Sequence, residues 1–473
     1  MMDQVDVSRP NVVSILTDDQ GIWAMGCSGN SEIRTPNLDR LAASGMRFEH
    51  FFCTSPVCSP ARASLMTGRI PSQHGVHDWI REGNAKEDAI DYLAGQLAYT
   101  DLLDEHGYAL GFSGKWHLGD SARPRKGFSL WYAHERGGGP YYNAPMYRDG
   151  ELVHEPGYVT DRITDEALAW LEGRAASAQP FYLGVHYTAP HSPWIDNHPE
   201  DIVDSYDDCP FASCPVEPEH PWALRNTVPG GVREEGRREN LKGYFAAVTA
   251  MDANVGRLLD RLEALGLREN TLVLFSSDNG YNCGHHGVWG KGNGTFPLNM
   301  YDTSVKVPAI ASQPGVVPEG VVCDALLSQY DVMPTLLEHA GIENPHAAGL
   351  PGRSFLPLLQ GRAMDERENV VVYDEYGPVR MVRSREWKYV HRYPYGPHEL
   401  YDLDGDPDER NNLVDDTGKR AVLDRLKADL DQWFAQYVDP NLDGTHEAVY
   451  GKGQLRLAGP AGRGEKAFAD DVD

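Results

Sequence analysis

The chain holds 473 residues, with 43 Lys plus Arg against 70 Asp plus Glu, so its formal charge is −27, and 41 % of it is hydrophobic. An acidic surface of this strength repels phosphate backbones and anionic lipid, which makes nucleic acid and membrane surfaces poor partners, while the apolar content is that of a globular protein with a large core. The length suggests two or three domains, and seven cysteines are too sparse for a disulfide scaffold, so reduced thiols are expected, their odd number hinting that one has a separate task.

Residues 1–10 show no basic segment followed by an apolar one, and no run of eighteen apolar residues follows, so the expectation is a cytoplasmic protein. In chain order, residues 11–17 form an apolar run ending in Asp18 and Asp19. Residues 109–113 run into Lys115 and His117, residues 181–186 towards His191, and residues 271–275 into Asp278 and Asn279. Continuous apolar runs of this kind predict strands buried on both faces. Between the last two, residues 195–238 read as a long loop, and residues 244–265 repeat apolar positions at helical spacing with Gly266 placed to end the helix. Alternating strands and helices predict an α/β fold with a mixed, mainly parallel central sheet flanked by helices. Ligands bind beyond the carboxyl ends of such strands, so all four polar clusters are expected on one rim. After residue 359 short strands at 370–373, 379–383, 387–391 and around 401, with a helix at about 419–434, predict a smaller α+β domain with an antiparallel sheet. The expected division is a catalytic domain at 1–362, a smaller domain at 363–438, and a polar Gly-rich tail at 439–473, partly disordered.

Asp18 and Asp19 are adjacent like charges where a buried strand ends, and Asp278 with Asn279 closes another. One such pair is explained by capping of a turn. Two on a common rim form an all-oxygen ligand set suited to Ca²⁺ or Mg²⁺ and ill suited to Zn²⁺. In the run Cys58-Ser59-Pro60-Ala61-Arg62, Pro60 suits a first helical turn, which puts Cys58 at or just before a helix N-terminus and predicts an acidified thiol. A buried structural cysteine and a thiolate nucleophile are the alternatives.

This run, with Leu65-Met66-Thr67-Gly68-Arg69 after it, resembles the CxPxR signature of type I sulfatases of the alkaline phosphatase superfamily. Asp18-Asp19-Gln20, the block from Gly114 to Gly119, Ala189-Pro190-His191, Ser277-Asp278-Asn279-Gly280, the block from Gly287 to Lys291 and the block from Glu399 to Leu403 are similar to the family's other motifs in the family's order, so the resemblance spans about 10–435. It implies an alkaline phosphatase-like fold and hydrolysis of a sulfate ester. It implies conversion of Cys58 to formylglycine by a formylglycine-generating enzyme, and one divalent cation, Ca²⁺ ahead of Mg²⁺, held by Asp18, Asp19, Asp278, Asn279 and residue 58. On the same basis Arg62 steadies the hydrated aldehyde, Lys115 and Lys291 bind sulfate oxygens, and His191 protonates the leaving oxygen. His117 takes the proton from the second diol hydroxyl, which expels sulfate and restores the aldehyde. His285 and His286 are left between a pocket role and mere exposure. Relatives hydrolysing phosphonate monoesters or phosphodiesters share the signature but resemble an Asp-His pair where this chain has Asp278-Asn279, which favours sulfate. A noncatalytic sulfate-ester binder, with Cys58 unconverted, is the other alternative. The charge of −27 favours a small anionic ester, such as a terminal sulfate on a mono- or oligosaccharide, over a long polyanion.

Overall fold

A computed structural model describes residues 9–85, 87–224, 234–364 and 372–470. Its main sheet has eleven strands. Eight are labelled: β1 (Asn11–Thr17), β2 (Met46–Phe52), β3 (Ala109–Gly114), β4 (Phe128–His134), β5 (Ala144–Arg148), β6 (Glu151–Glu155), β7 (Phe181–His186) and β8 (Thr271–Ser277). In space the order is Lys306–Val307, β2, Ala309–Ser312, β8, β1, β7, β3, β4, β5, β6, with Val321–Ser328 also pairing β2. The centre from β8 to β4 is parallel, and the flanks are mixed.

The reason for the unbroken apolar runs is visible in β1. Val12 and Leu16 point into one core and Val13 and Ile15 into the other, so neither face meets water. The helix Glu234–Ala264 covers the second face with Tyr244, Val248, Met251, Val255, Leu258 and Leu262. Gly266, with φ of 66°, ends it as expected. Its start lies ten residues earlier than the apolar spacing shows, because its first turns are polar. The expected loop at 195–238 holds the short helix Glu200–Asp204, and part of that loop lies outside the described residues. No helix among the described residues is long and apolar enough to cross a membrane.

Strands Val372–Tyr376, Val379–Arg383, Trp387–Arg392 and Glu399–Asp402 make an antiparallel meander. Positions 370 and 371 of the expected first strand lie outside the described residues. Helix Arg420–Tyr437 packs on this sheet through Leu423, Leu426, Leu430 and Phe434. The expected polar, partly disordered tail at 439–473 is described as far as Asp470. To that point it is a packed strap, because Val449, Ala458 and Phe468 enter the main core and Gln454 is fully buried. Gln454 accepts from the His77 N–H at 2.9 Å and donates to the Gly75 carbonyl at 2.9 Å.

Candidate active site

Strands β1 and β8 pair in parallel with Thr17 opposite Ser277, so the residues that follow, Asp18-Asp19 and Asp278-Asn279, arrive side by side. Carboxylate oxygens of Asp18, Asp19 and Asp278 lie within 4.8 Å of one another. The Asp19 N–H donates to Asp278 Oδ1 at 3.3 Å, and Asn279 Nδ2 donates to Asp19 Oδ1 at 2.7 Å. Asn279 Oδ1 is thereby left buried with no partner among the described residues. A buried acceptor without a donor is costly. Beside three carboxylates, this oxygen completes a donor set that fits a hard divalent cation. Asp19 itself is held in the left-handed region, at φ 64°, by the Tyr244 hydroxyl, which donates to the Asp19 carbonyl at 3.0 Å and accepts from the Gly21 N–H at 3.1 Å.

Cys58 opens the fully buried helix Cys58–Thr67. Its Sγ lies 3.4 Å from Asp18 Oδ1 and 2.7 Å from Lys291 Nζ. The expected acidified thiol is corrected here: burial, and then the Asp18 carboxylate, push it up to about 12. Loss of water and an adjacent negative charge outweigh the partial positive charge of a helix end. A thiol so firmly protonated is ill suited to be a thiolate nucleophile.

Arg62, one turn further on, donates from Nε to Asp278 Oδ2 at 2.8 Å and from Nη1 to the Lys115 carbonyl at 2.7 Å. Its Nη2 has no partner among the described residues. Lys115 reaches Asp18 Oδ2 at 2.5 Å, and Lys291 also contacts Asp19 Oδ1. Burial pulls the Lys291 ammonium down, but Asp19 and its neighbours outweigh it and hold the pKa well above the ordinary value. Three buried cations, Arg62, Lys115 and Lys291, thus face three buried carboxylates, Asp18, Asp19 and Asp278. The set is balanced as it stands, and a divalent cation would give it the net positive charge that an anionic ester needs.

The two histidines differ in which nitrogen is committed. His117 Nε2 donates to the Ile80 carbonyl at 2.9 Å, so the buried Nδ1, with no described partner, carries the lone pair. Burial, and then Lys115, hold its pKa well below the ordinary range and keep the ring neutral. His191 does the reverse, with Nδ1 donating to the Ser192 carbonyl at 2.6 Å and Nε2 lying 3.8 Å from Asp19 Oδ2. Both rings line a cavity of about 690 Å³, whose buried end holds Asp19, Cys58 and Lys291.

Every residue the sequence singles out for chemistry therefore meets at one place, except His285 and His286. Neither lines the cavity: His286 stacks on Tyr301 at 3.9 Å, and His285 lies against Trp23. Trp79 and Tyr281 line the cavity, whereas Trp116, Trp194 and Trp289 are buried in the surrounding core. Sequence reasoning missed Gly137 and Gly138. A Cβ at Gly137 would lie 2.1 Å from the His117 ring and one at Gly138 2.9 Å from that of His191. The run of three glycines at 137–139 was the available signal. It also missed Gln329, which donates to the Ser277 and Asp278 carbonyls at 3.0 and 2.8 Å and steadies the end of β8, and which no motif marks.

Comparison with known proteins places the chain in a family. The family model "Sulfatase" matches residues 10–342, and that of the "N-sulphoglucosamine sulphohydrolase, C-terminal" region matches 284–436. An N-acetylglucosamine-6-O-sulfatase of Bacteroides thetaiotaomicron is 29 % identical over 96 % of this chain and 91 % of its own length. An ulvan-active sulfatase of Formosa agariphila is 31 % identical over 92 % of this chain and 83 % of its own. A solved structure of a protein in complex with its substrate D-glucosamine-2-N,6-O-disulfate superimposes with a TM-score of 0.77 at 25 % identity, covering 92 % of this chain and 99 % of that one. The strand-end carboxylates, the Cys58 helix and these matches lead to one conclusion: the chain belongs to the sulfatase family and is a sulfuric ester hydrolase.

Proposed function

We propose that this chain removes a terminal sulfate from a small saccharide, with formylglycine at position 58 and Ca²⁺ as its cofactors. Family membership implies a divalent cation and a formylglycine. Asp18, Asp19, Asp278 and Asn279, with residue 58, would hold the cation. The larger and more adaptable oxygen shell of Ca²⁺ suits that many protein ligands better than Mg²⁺, which keeps several waters. When bound, these groups supply positive charge at the sulfate oxygens and a hydroxyl nucleophile of lowered pKa.

The rest falls to the side chains. Lys115 and Lys291, both buried, bind sulfate oxygens as compact cations where water is excluded. Arg62 orients residue 58 through its unpartnered Nη2. His191 holds a proton at Nε2 for the leaving ester oxygen, and His117 accepts one at Nδ1 from the nucleophile residue. The observation that supports this reading is the contact of Cys58 Sγ with both Asp18 and Lys291, since residue 58 would then lie between the proposed cation ligands and the ammonium proposed to bind sulfate. The saccharide is supported by the sugars named for the relatives, and the small size by the cavity of about 690 Å³ and the acidic surface.

The maturation partner is a formylglycine-generating enzyme, and the test begins there. Mass spectrometry of the tryptic peptide 48–62, from cells that contain this enzyme, should show the aldehyde in place of the Cys58 thiol. The converted protein should then release sulfate from small sulfated sugars. Finding only unmodified thiol, or release from internal sulfates of intact polymer alone, refutes the reading.

A further inference from the structure

We propose that the C-terminal strap is a specificity element, in which Lys452 binds a second anionic substituent of the saccharide, a sulfo or carboxylate group, while the scissile sulfate occupies the buried end of the cavity. This deepens the reading given under Proposed function and rests on it. The strap lies beyond the residues matched by either family model, which end at 342 and 436. Even so, Gly451 and Lys452 form part of the wall of the cavity that holds Cys58.

The position of Lys452 is fixed from both sides. The Gly451 carbonyl accepts from Trp79 Nε1 at 3.2 Å and from Asn293 Nδ2 at 3.3 Å, and both donors are themselves cavity residues. The Gly453 N–H donates to Asp78 Oδ2 at 2.9 Å, and buried Gln454 anchors the next position. Gly453 has φ of 108°, and a Cβ there would stand 2.7 Å from the Arg81 Cβ, so the strap passes this point only as glycine. A backbone pinned on each side leaves the ammonium as the adaptable part.

Charge gives that ammonium its role. Among the described residues of the cavity wall, outside its buried end, Arg81, Arg136 and Lys452 are cationic and Glu82 is anionic, on a molecule whose overall charge is −27. Arg136 is held by Glu135 at 3.5 Å, whereas Lys452 makes no ion pair or hydrogen bond with the described residues. A volume of about 690 Å³ is in the range of sites that enclose whole small molecules, so there is room for a substituent beyond the scissile sulfate.

The test is calorimetric titration of the full-length, calcium-loaded protein made without the converting enzyme, so that Cys58 stays a thiol and no ligand is consumed. The probes are N-acetylglucosamine 6-sulfate, glucosamine 2-N,6-O-disulfate, and N-acetylglucosamine 6-sulfate linked to glucuronate. The last two separate a second sulfo group from a carboxylate. At least one of them should bind about five- to tenfold more tightly than the first, a preference that Lys452→Met removes and Lys452→Arg keeps. Lys466→Met, on the outer side of the same strap, should keep it too. The proposal is overturned if neither dianion is preferred or bound, if Lys452→Met weakens all three ligands equally, or if Lys466→Met has the same effect. A converted enzyme that hydrolyses no sulfate ester would instead sink the underlying reading, whatever these affinities are.

Discussion

The division of labour between His117 and His191 is written in their ring nitrogens. His191 faces the cavity with Nε2 because Ser192 holds Nδ1, and His117 presents Nδ1 because Ile80 holds Nε2. An acid for the leaving oxygen matters most when that oxygen is basic. His191→Ala should therefore slow an alkyl sulfate about 10²–10⁴-fold and an aryl sulfate with an acidic phenol far less, while His117→Ala should slow both alike. A leaving-group series of kcat/KM measures this, and equal losses for both substrate classes in His191→Ala would reverse the assignment. The types of these residues are legible in the sequence because each stands in a compact block after an apolar run. The committed nitrogen of His117 is not, because Ile80 lies 37 positions from it and joins it only through tertiary contact. The left-handed backbone of Asp19 and His117 is hidden for the same reason, since both are imposed by neighbours and neither is glycine.

At the scale of elements, the site depends on where strands stop. Gly114 is the last residue of β3 and delivers Lys115, and it passes the backbone of β7 so closely that an added Cβ would lie 1.8 Å from the His186 carbonyl oxygen. Its φ of 124° also disfavours any side chain. Gly114→Ala should cost about 2 kcal/mol or more in stability and lower kcat by displacing Lys115. Gly107→Ala, at φ 81° with open space around it, should cost about 1 kcal/mol and leave kcat intact. Denaturant midpoints and kcat on one small sulfate ester decide between strain at the site and a general glycine effect, and equal behaviour of the two variants would refute the first. The central strands were legible because burial on both faces leaves them mostly apolar, with no Asp, Glu, Lys or Arg in them. Strands β2 and β4 to β6 were not, because they are partly exposed and their residues alternate with polar ones. The strap at 439–470 was hidden because a few anchors, chiefly Phe468 and Gln454, hold a segment that is otherwise polar and Gly-rich.

Across the whole molecule the electrostatics work on two length scales. At short range, the orphaned Asn279 Oδ1 and the three carboxylates predict that the fold is linked to its cation. Calcium at a hundred times its Kd should stabilise the chelator-treated protein by about 2.7 kcal/mol. Asn279→Ala, which keeps every charge, should need at least about tenfold more calcium for the same rise in melting temperature. Identical melting with and without calcium would exclude that donor set. At long range, the charge of −27 surrounds a site that a bound divalent cation would make a positive well. In about 0.01 M salt the Debye length is about 30 Å, so a polyanion feels the whole surface, whereas at 0.15 M it is about 8 Å and only nearby groups count. A small sulfate that enters the cavity should therefore lose some affinity as salt rises, because attraction to the well is screened. A long sulfated polymer such as heparin should show the opposite trend and inhibit better at 0.15 M than at 0.01 M, because repulsion by the surface is screened first. Inhibition constants for both across that range give the sign directly. Heparin inhibiting best at low salt would mean that a basic track outweighs the net charge, and that the enzyme is built to meet polymers instead of their fragments.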